Sequence, residues 1–271
     1  MRAHIATQFM GAGTMAKPRE PLRWELMTSD EIGAVVKSGM DLAILPVGAT
    51  EQHGAHLATG TDTVSPEAIA WRVSAQTGAV VLPSLGYGLS LGHTDAWPGT
   101  ISLHPQTMAQ VVVEIGRWVV KSGFKRLILL SGNGPNQPPL DSARLQLRYE
   151  FPDCRFRFLS LFHLSERVTK AYGEDAPDFH ANRAETALLM HLRPDMVRQG
   201  KEVDEEDVTV GRVFSYDMRA TTRSGVVGRP SQATEAFGER LTTMLVEDLT
   251  ALVEQALAED WPELPGGKKK R

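Results

Sequence analysis

The sequence predicts an α/β fold, a single-domain three-layer sandwich in which helices cover both faces of a mainly parallel sheet. Short apolar runs typical of buried strands alternate with segments of helical periodicity along most of the chain. A length of 271 residues, with 42% hydrophobic and 23% charged residues, is enough for one large domain with an ample core. We therefore expect one folded domain at residues 21–262, between a flexible N-terminal extension at 1–20 and a disordered basic tail at 263–271.

The first predicted unit is a strand, a helix and a second strand. Residues 41–47 are almost wholly apolar and predict a buried strand. Ser65 suits a helix N-cap and Pro66 the first helical position, so a helix is expected from there to about residue 76. Residues 79–82 predict the next short strand.

A long glycine-rich loop at residues 83–104 follows, and its length indicates a functional role. Residues 105–122 carry apolar side chains at helical spacing and stop at Gly123, which suits the position after a helix. A strand is predicted at 126–130, and it leads into the loop 131–136, which has no bulky side chain.

The second half continues the alternation. Helices are predicted at about 139–149, 185–192 and 232–257, and a strand at 155–161. The stretch between that strand and His180 is predicted to be irregular.

Composition narrows the classes of function. A net charge of −4 and a pI near 6.1 give no electrostatic case for nucleic-acid binding, so a small-molecule substrate is expected. The one cysteine, Cys154, excludes an internal disulfide and a cysteine-based zinc site, which fits a cytoplasmic protein. No stretch reaches the roughly 20 apolar residues of a membrane span, so no membrane partner is expected.

Glu51, His53 and Asp62 form a compact set of metal-ligand side chains directly after the first strand. Residues two apart on an extended segment project to the same side, and the glycine-rich loop before Asp62 can bring its carboxylate back to the same point. Carboxylate plus imidazole suits zinc (Zn) or manganese (Mn) rather than calcium. Spacing alone leaves a second interpretation open, because such pairs also occur in solvated loops.

Further polar residues follow other predicted strands. Asn133 comes after the third strand and His180 after the fourth. Sites in open parallel sheets form beyond the carboxyl ends of the strands, so we expect these residues to converge with Glu51 and His53.

Four sequence blocks resemble the creatininase family (creatinine amidohydrolase and its relatives). Residues 46–63 match the family's Pro-Val-Gly-Ser-Thr-Glu-Gln-His-Gly-Pro-His-Leu-Pro-Leu-Gly-Thr-Asp-Thr nearly position for position. Residues 93–103 are similar to its His-x-x-x-Phe-Pro-Gly-Thr-Ile-Ser-Leu, and residues 180–186 to its His-Ala-Gly-Glu-x-Glu-Thr. Residues 225–234 resemble the late Gly-x-x-Gly-Asp-Pro-x-x-Ala-Thr, and the four blocks keep the family's order.

This resemblance implies a creatininase-like α/β fold and a two-metal amidohydrolase, usually a hexamer built as a trimer of dimers. Family members attack a cyclic or small amide carbonyl with a hydroxide held between zinc or manganese ions. By matching positions, Glu51 would hold one metal, His53 the other, and Asp62 both. Glu185 would complete the His53 metal, as in many relatives, and His180 would be the proton shuttle.

The glycine loop departs from the family pattern. The family's Asn-Gly-His-Gly-Gly-Asn supplies a metal-ligand histidine, whereas residues 131–136 place Asn133 at that position. A neutral amide is a poor ligand for zinc. Because His53, Asp62 and Glu185 remain, we predict one strong metal site and one weakened site. Asn133 itself is open to three interpretations: a weak ligand, a hydrogen-bond donor to substrate, or a turn residue.

Four residues are candidates for substrate binding. Arg183 stands where the family has an acidic residue, and a guanidinium near the pocket would bind a carboxylate or phosphate. His93 and Trp97 either line the pocket or belong to a packed turn. Asn133 is the fourth candidate.

The leading hypothesis is a metal-dependent hydrolase that cleaves a small amide, lactam or related C–N bond, with a substrate other than creatinine. Two alternatives remain open: different chemistry in the same pocket, such as amide formation or elimination, and a non-catalytic binding protein that lost its glycine-loop imidazole.

Overall fold

A computed structural model describes residues 19–262. The expectations for residues 1–18 and for the basic tail lie outside the described residues. Four strands form one sheet: β1 (Leu42–Val47), β2 (Val80–Val81), β3 (Arg126–Ser131) and β4 (Arg155–Ser160). Their order is β2-β1-β3-β4 and every pairing is parallel, which confirms the predicted parallel sheet.

Eight helices accompany the sheet in the described part of the chain. They are α1 (Ser29–Lys37), α2 (Thr61–Thr77), α3 (Pro105–Lys121), α4 (Gln137–Glu150), α5 (Glu166–Tyr172), α6 (Arg183–Leu192), α7 (Met218–Thr221) and α8 (Glu235–Ala258). No helix among the residues described is long and apolar enough to cross a membrane.

The helices pack in two layers because the side chains of β1 alternate between the two faces of the sheet. Leu42 and Ile44 point into a core shared with α2, α6 and α8, whereas Ala43, Leu45 and Val47 point into one shared with α1, α3 and α4. All six residues of β1 are buried, so its sequence is an apolar run without alternation. The three-layer sandwich is confirmed.

The start of α2 differs from the prediction in a way that matters for the site. The helix begins at Thr61, four residues before the expected N-cap Ser65. The Ser65 hydroxyl donates to the Thr61 carbonyl within the helix instead of capping it, and Pro66 is accommodated in the second turn. Asp62 therefore belongs to the first turn of α2 and is held rigidly.

Three helices, α1, α5 and the short α7, were missed in segments predicted to be irregular or left unassigned. Thr28 and Glu31 form a capping box at the start of α1, a signal that the sequence Thr-Ser-Asp-Glu contains. Ser165 caps α5 by accepting from the Val168 N–H. The start of α6 lies two residues earlier than predicted, because the Asn182 side chain accepts from the N–H groups of Ala184 and Glu185.

Candidate metal centre

The loop after β1 brings Glu51 and His53 beyond the carboxyl end of the central strand. It packs closely on the first turn of α2, and a Cβ at Gly48 would lie 2.3 Å from the Thr63 Cα. The His53 ring is oriented by its Nδ1, which donates to the Glu51 carbonyl at 3.0 Å. Since a carbonyl can only accept, Nε2 of His53 is the nitrogen that faces the cluster.

Two carboxylates from helix starts meet His53 from other directions. The Asp62 Oδ1 lies 3.0 Å from the His53 Nε2, and the Glu185 Oε1 lies 4.0 Å from the same nitrogen. Glu185 is placed by Asn182, whose cap sets the first turn of α6. All three side chains are buried.

Glu51 faces two further imidazoles. Its Oε1 lies 3.4 Å from the His93 Nε2 and 3.4 Å from the His180 Nδ1. His93 comes from the long loop before α3 and His180 from the segment before α6. The next residue, Ala181, has a φ of 50°, a strained conformation for a residue with a side chain, and the surrounding structure holds His180 in place through it.

By distance alone, the described residues contain two compact groups of metal-ligand atoms, Glu51 with His53 and Asp62, and Glu51 with His93 and His180. Within each group the ligand atoms all lie within 4.8 Å of one another. The carboxylate common to both groups is Glu51. The predicted sharing of Asp62 between two metals stays a prediction, as does the ligand role of Glu185, which lies beside His53 but outside both groups.

The chemistry of this cluster fits a divalent cation. One carboxylate oxygen of each of Glu51, Asp62 and Glu185 is buried without a hydrogen-bond partner. Buried, unsatisfied carboxylate oxygens are costly unless a cation compensates them. Carboxylate oxygens beside an imidazole nitrogen form a mixed set that suits zinc or manganese.

Without a metal, the cluster retains protons. Burial, with a contribution from Asp62, raises the pKa of Glu51 to about 8 and that of Glu185 to about 7. Burial opposes the charged form of His53, but Asp62, Glu185 and Glu51 outweigh it and raise its pKa to about 10. A divalent cation would displace these protons on binding.

The other two imidazoles stay neutral. Burial lowers the pKa of His93 to about 4, and the pKa of His180 falls well below its usual value for the same reason, with the neighbouring His53 adding to both shifts. A neutral imidazole has one lone pair available to bind a metal or to accept a proton.

Asn133 lies outside both groups. Its amide nitrogen donates to the Leu89 carbonyl at 3.0 Å and to the Asn136 Oδ1 at 3.3 Å, while Asn136 donates to the Gly48 carbonyl. These bonds hold the glycine loop against the loops around it. Gly132 in the same loop packs so closely that a Cβ would lie 2.3 Å from the Asp62 carbonyl oxygen. This geometry favours the turn interpretation of Asn133.

The remaining predicted substrate residues have different surroundings. The half-buried Trp97 ring lies beside His93, with 6.3 Å between the ring centroids. The Arg183 guanidinium pairs with Glu174 and lies 4.5 Å from the Phe237 ring, so it is engaged away from the cluster. The structure therefore lends no support to an anion site at Arg183.

Sequence reasoning missed Gln52 as a functional residue. It is buried between Glu51 and His53 and forms hydrogen bonds with both His93 and His180. Its place between two candidate ligands was the one signal that could have drawn attention to it.

A parallel α/β sandwich with carboxylates and imidazoles gathered beyond its strand ends defines a metal-binding hydrolase. The family model for creatininase, described as creatinine amidohydrolase, matches residues 25–253, and the chain belongs to the creatininase family. The resemblance inferred from the four blocks is confirmed. Membership makes the protein an amidohydrolase-type enzyme that cleaves C–N bonds with a metal.

Two relatives show the range of the family. The chain is 34% identical over 219 residues to a mycofactocin precursor peptide peptidase of Mycolicibacterium smegmatis, covering 77% of this chain and 83% of the relative. It is 30% identical over 253 residues to creatinine amidohydrolase of Pseudomonas putida, covering 87% and 96%. A solved structure described as creatininase Mn is similar with a TM-score of 0.80 and 27% identity, covering 89% of this chain and all of that chain.

Proposed function

We propose that this protein hydrolyses an amide, lactam or related C–N bond of a small molecule other than creatinine, using one tightly bound zinc or manganese ion. The observation that carries the proposal is the set of three buried carboxylates with unpartnered oxygens around the His53 imidazole. When bound, a divalent metal supplies Lewis-acid polarisation of a carbonyl and water with a pKa near neutrality.

We assign three ligands to the metal: His53, Asp62 and Glu185. Glu51 lies next to these ligands. Nε2 of His53 offers its lone pair, because its Nδ1 is engaged with a carbonyl. Asp62 and Glu185 come from the first turns of two helices, so their positions are set before any metal binds. We propose a weakened second site near Glu51, since Asn133 stands where relatives carry the histidine ligand.

His180 is assigned the proton transfer to the leaving nitrogen. Its Nε2 donates to the Gln52 carbonyl at 2.8 Å, so Nδ1 carries the free lone pair. That nitrogen faces Glu51 at 3.4 Å, inside the cluster. The low pKa of His180 keeps it neutral and able to accept a proton before passing it on.

His93 and Trp97 are assigned to the wall of the substrate pocket. His93 is buried beside Glu51, and Trp97 is half-buried beside His93. The family resemblance further supports a homo-oligomer, and it implies a hexamer.

Peptide hydrolysis is the second candidate function. The segment before α7 exposes Val213 (89%) and Phe214 (75%), and this segment leads to Asp217, which approaches Gly92 next to His93. Exposed apolar side chains that shortly precede Asp217 in the sequence support a longer substrate with apolar side chains. A relative described as a peptide peptidase makes this candidate worth a direct test.

The test compares metal-loaded with chelator-treated protein on lactams, small linear amides and short apolar peptides. We expect hydrolysis of at least one small amide or lactam, lost on chelation and restored by zinc or manganese. Glu185→Gln should lose this activity, whereas the matched exposed variant Glu174→Gln should keep it. Cleavage of peptides alone would favour the second candidate, and no hydrolysis by fully loaded protein would favour a binding protein or different chemistry.

A further inference from the structure

Gln52 has a fixed amide orientation. Its Oε1 accepts from the Gly54 N–H at 2.9 Å, and its Nε2 donates to the Gly225 carbonyl at 3.1 Å. Turning the amide over would place oxygen against the Gly225 oxygen and N–H against the Gly54 N–H. Both contacts would be repulsive, so the observed orientation is the one that the backbone imposes.

The space for this amide is built into the fold. Gly225 has a φ of 77°, and a Cβ there would lie 2.2 Å from the Gln52 Oε1. The Gln52 N–H also donates to the Thr100 hydroxyl at 3.0 Å. One buried residue thereby joins the loop after β1, the long loop before α3 and the segment after α7.

The amide determines which nitrogen of His93 carries hydrogen. The Gln52 Nε2 has three polar neighbours: the Gly225 carbonyl, the His93 Nδ1 at 2.9 Å and the His180 Nε2 at 3.2 Å. The His180 Nε2 cannot accept, because it donates to the Gln52 carbonyl, so the two hydrogens of Gln52 go to Gly225 and to the His93 Nδ1. Nδ1 must accept this bond, so the neutral His93 ring carries its hydrogen on Nε2. This nitrogen lies 3.4 Å from the Glu51 Oε1.

The backbone carbonyl of Gln52 fixes His180 the other way round, so that a lone pair of this ring, and not an N–H, faces Glu51. The His180 Nε2 lies 2.8 Å from the Gln52 carbonyl oxygen, which can only accept, so this nitrogen carries the hydrogen. The His180 Nδ1 has the lone pair and lies 3.4 Å from the Glu51 Oε1. Glu51 thus faces an N–H of one ring and a lone pair of the other.

We infer that Gln52 is a positioning residue that fixes His93 and His180 so that His93 presents an N–H, and His180 a lone pair, to Glu51. By distance alone Glu51, His93 and His180 would form a three-ligand metal site, but the hydrogen on His93 Nε2 closes it. The imidazole missing from the glycine loop is therefore not replaced by His93, because the His93 nitrogen nearest to Glu51 carries a hydrogen and has no lone pair for a metal. The consequence for metal number rests on the proposed function, whereas the tautomers do not.

The direct test is long-range ¹H–¹⁵N NMR of the histidine rings in metal-free protein at neutral pH. His93→Gln and His180→Gln identify the two sets of signals by their loss. We expect a pyridine-type Nδ1 and a pyrrole-type Nε2 for both rings. A pyrrole-type Nδ1 in His93 of the unaltered protein would overturn the inference, and this result needs neither a metal nor a substrate.

Gln52→Glu tests the cause, because it replaces the donating NH₂ with an accepting oxygen of similar size. The hydrogen of His93 should move to Nδ1, while His180, held by a backbone carbonyl, should not change. Freeing the His93 Nε2 lone pair should also raise the bound metal above the level of the unaltered protein. The control Gln106→Glu adds the same charge at an exposed position and should change neither readout.

An unchanged His93, or equal changes in both rings, would show that Gln52 does not fix the tautomer. Absence of hydrolytic activity with the expected NMR signals would count against the proposed function alone.

Discussion

The Nε2 atom of His53 lies 3.0 Å from the carboxylate of Asp62, and both side chains are almost completely buried. One residue comes from the loop after the central strand and the other from the first turn of α2. In the metal-free protein a proton stabilises this contact, because the surrounding carboxylates raise the pKa of His53 to about 10 despite its burial. We expect a metal ion to replace that proton.

Asp62→Asn should lower metal affinity by more than about 100-fold, beyond the 10- to 100-fold typical of groups that only orient ligands. The substitution keeps the shape of the side chain but removes an anionic ligand from a rigid helix start. Competition with a chromogenic chelator measures the effect. Asp141→Asn, which removes a surface partner of Arg144, should leave affinity unchanged, and equal affinities in both variants would exclude Asp62 as a ligand.

The metal-free protein should lose stability as pH rises from 6.5 to 8. Burial raises the pKa of Glu51 to about 8 and of Glu185 to about 7, and His53 reaches about 10 through its carboxylate neighbours despite burial. In this range the folded chain holds more protons than the unfolded chain, so the free energy of unfolding falls with pH. Each proton of difference contributes about 1.4 kcal/mol per pH unit.

Below pH 6.5 this decrease of stability with rising pH is opposed, because burial lowers the pKa values of three histidines. They are His56, His93 and His180. Thermal melts across this range, with and without zinc, provide the measurement. Zinc should stabilise the protein more at pH 8 than at pH 6.5, and a metal-free protein whose stability rises over this range would contradict the protonated cluster.

His180→Gln should lower turnover about 100- to 10,000-fold while leaving metal content unchanged, because it removes a proton-transferring group. Steady-state kinetics with metal analysis of the same sample separates the two effects. His163→Gln, at an exposed histidine, serves as the control. Loss of metal together with activity would instead make the His180 Nδ1 a metal ligand.

Asn133→His should raise the bound metal above that of the unaltered protein, because it supplies the imidazole that the family resemblance implies at this position. The same change should cost about 1 to 3 kcal/mol of stability, since the Asn133 amide bonds to Leu89 and Asn136 are lost. Isothermal titration with manganese gives the stoichiometry. No increase in a folded variant would show that position 133 does not reach the metal.

The sequence predicted the fold well where local and tertiary preferences agree. The apolar run of β1 and the periodicity of α3 gave bounds within a residue of those observed. The start of α2 was wrong because Ser65 and Pro66 look like a helix beginning, whereas Thr61 begins the helix after Gly60. The choice between these two helix starts depends on how α2 packs against the loop after β1. The local sequence does not contain this information.

For the site, the sequence identified residues that the fold brings together but not their hydrogen-bond partners. Glu51, His53 and Asp62 were grouped by spacing, and the structure places them in one buried group. The role of Gln52 was not predicted because its partners His93, His180 and Gly225 come from distant segments. The Arg183 guanidinium pairs with Glu174, and the position of Arg183 in a sequence block does not indicate this contact.

Metal analysis of the purified, reconstituted protein tests the central claim most directly. Inductively coupled plasma mass spectrometry after gel filtration should find about one zinc or manganese per chain, and Asp62→Asn should reduce this number. Two equally tight metals per chain would contradict the single strong site. No metal after reconstitution would contradict metal-dependent hydrolysis by this cluster altogether.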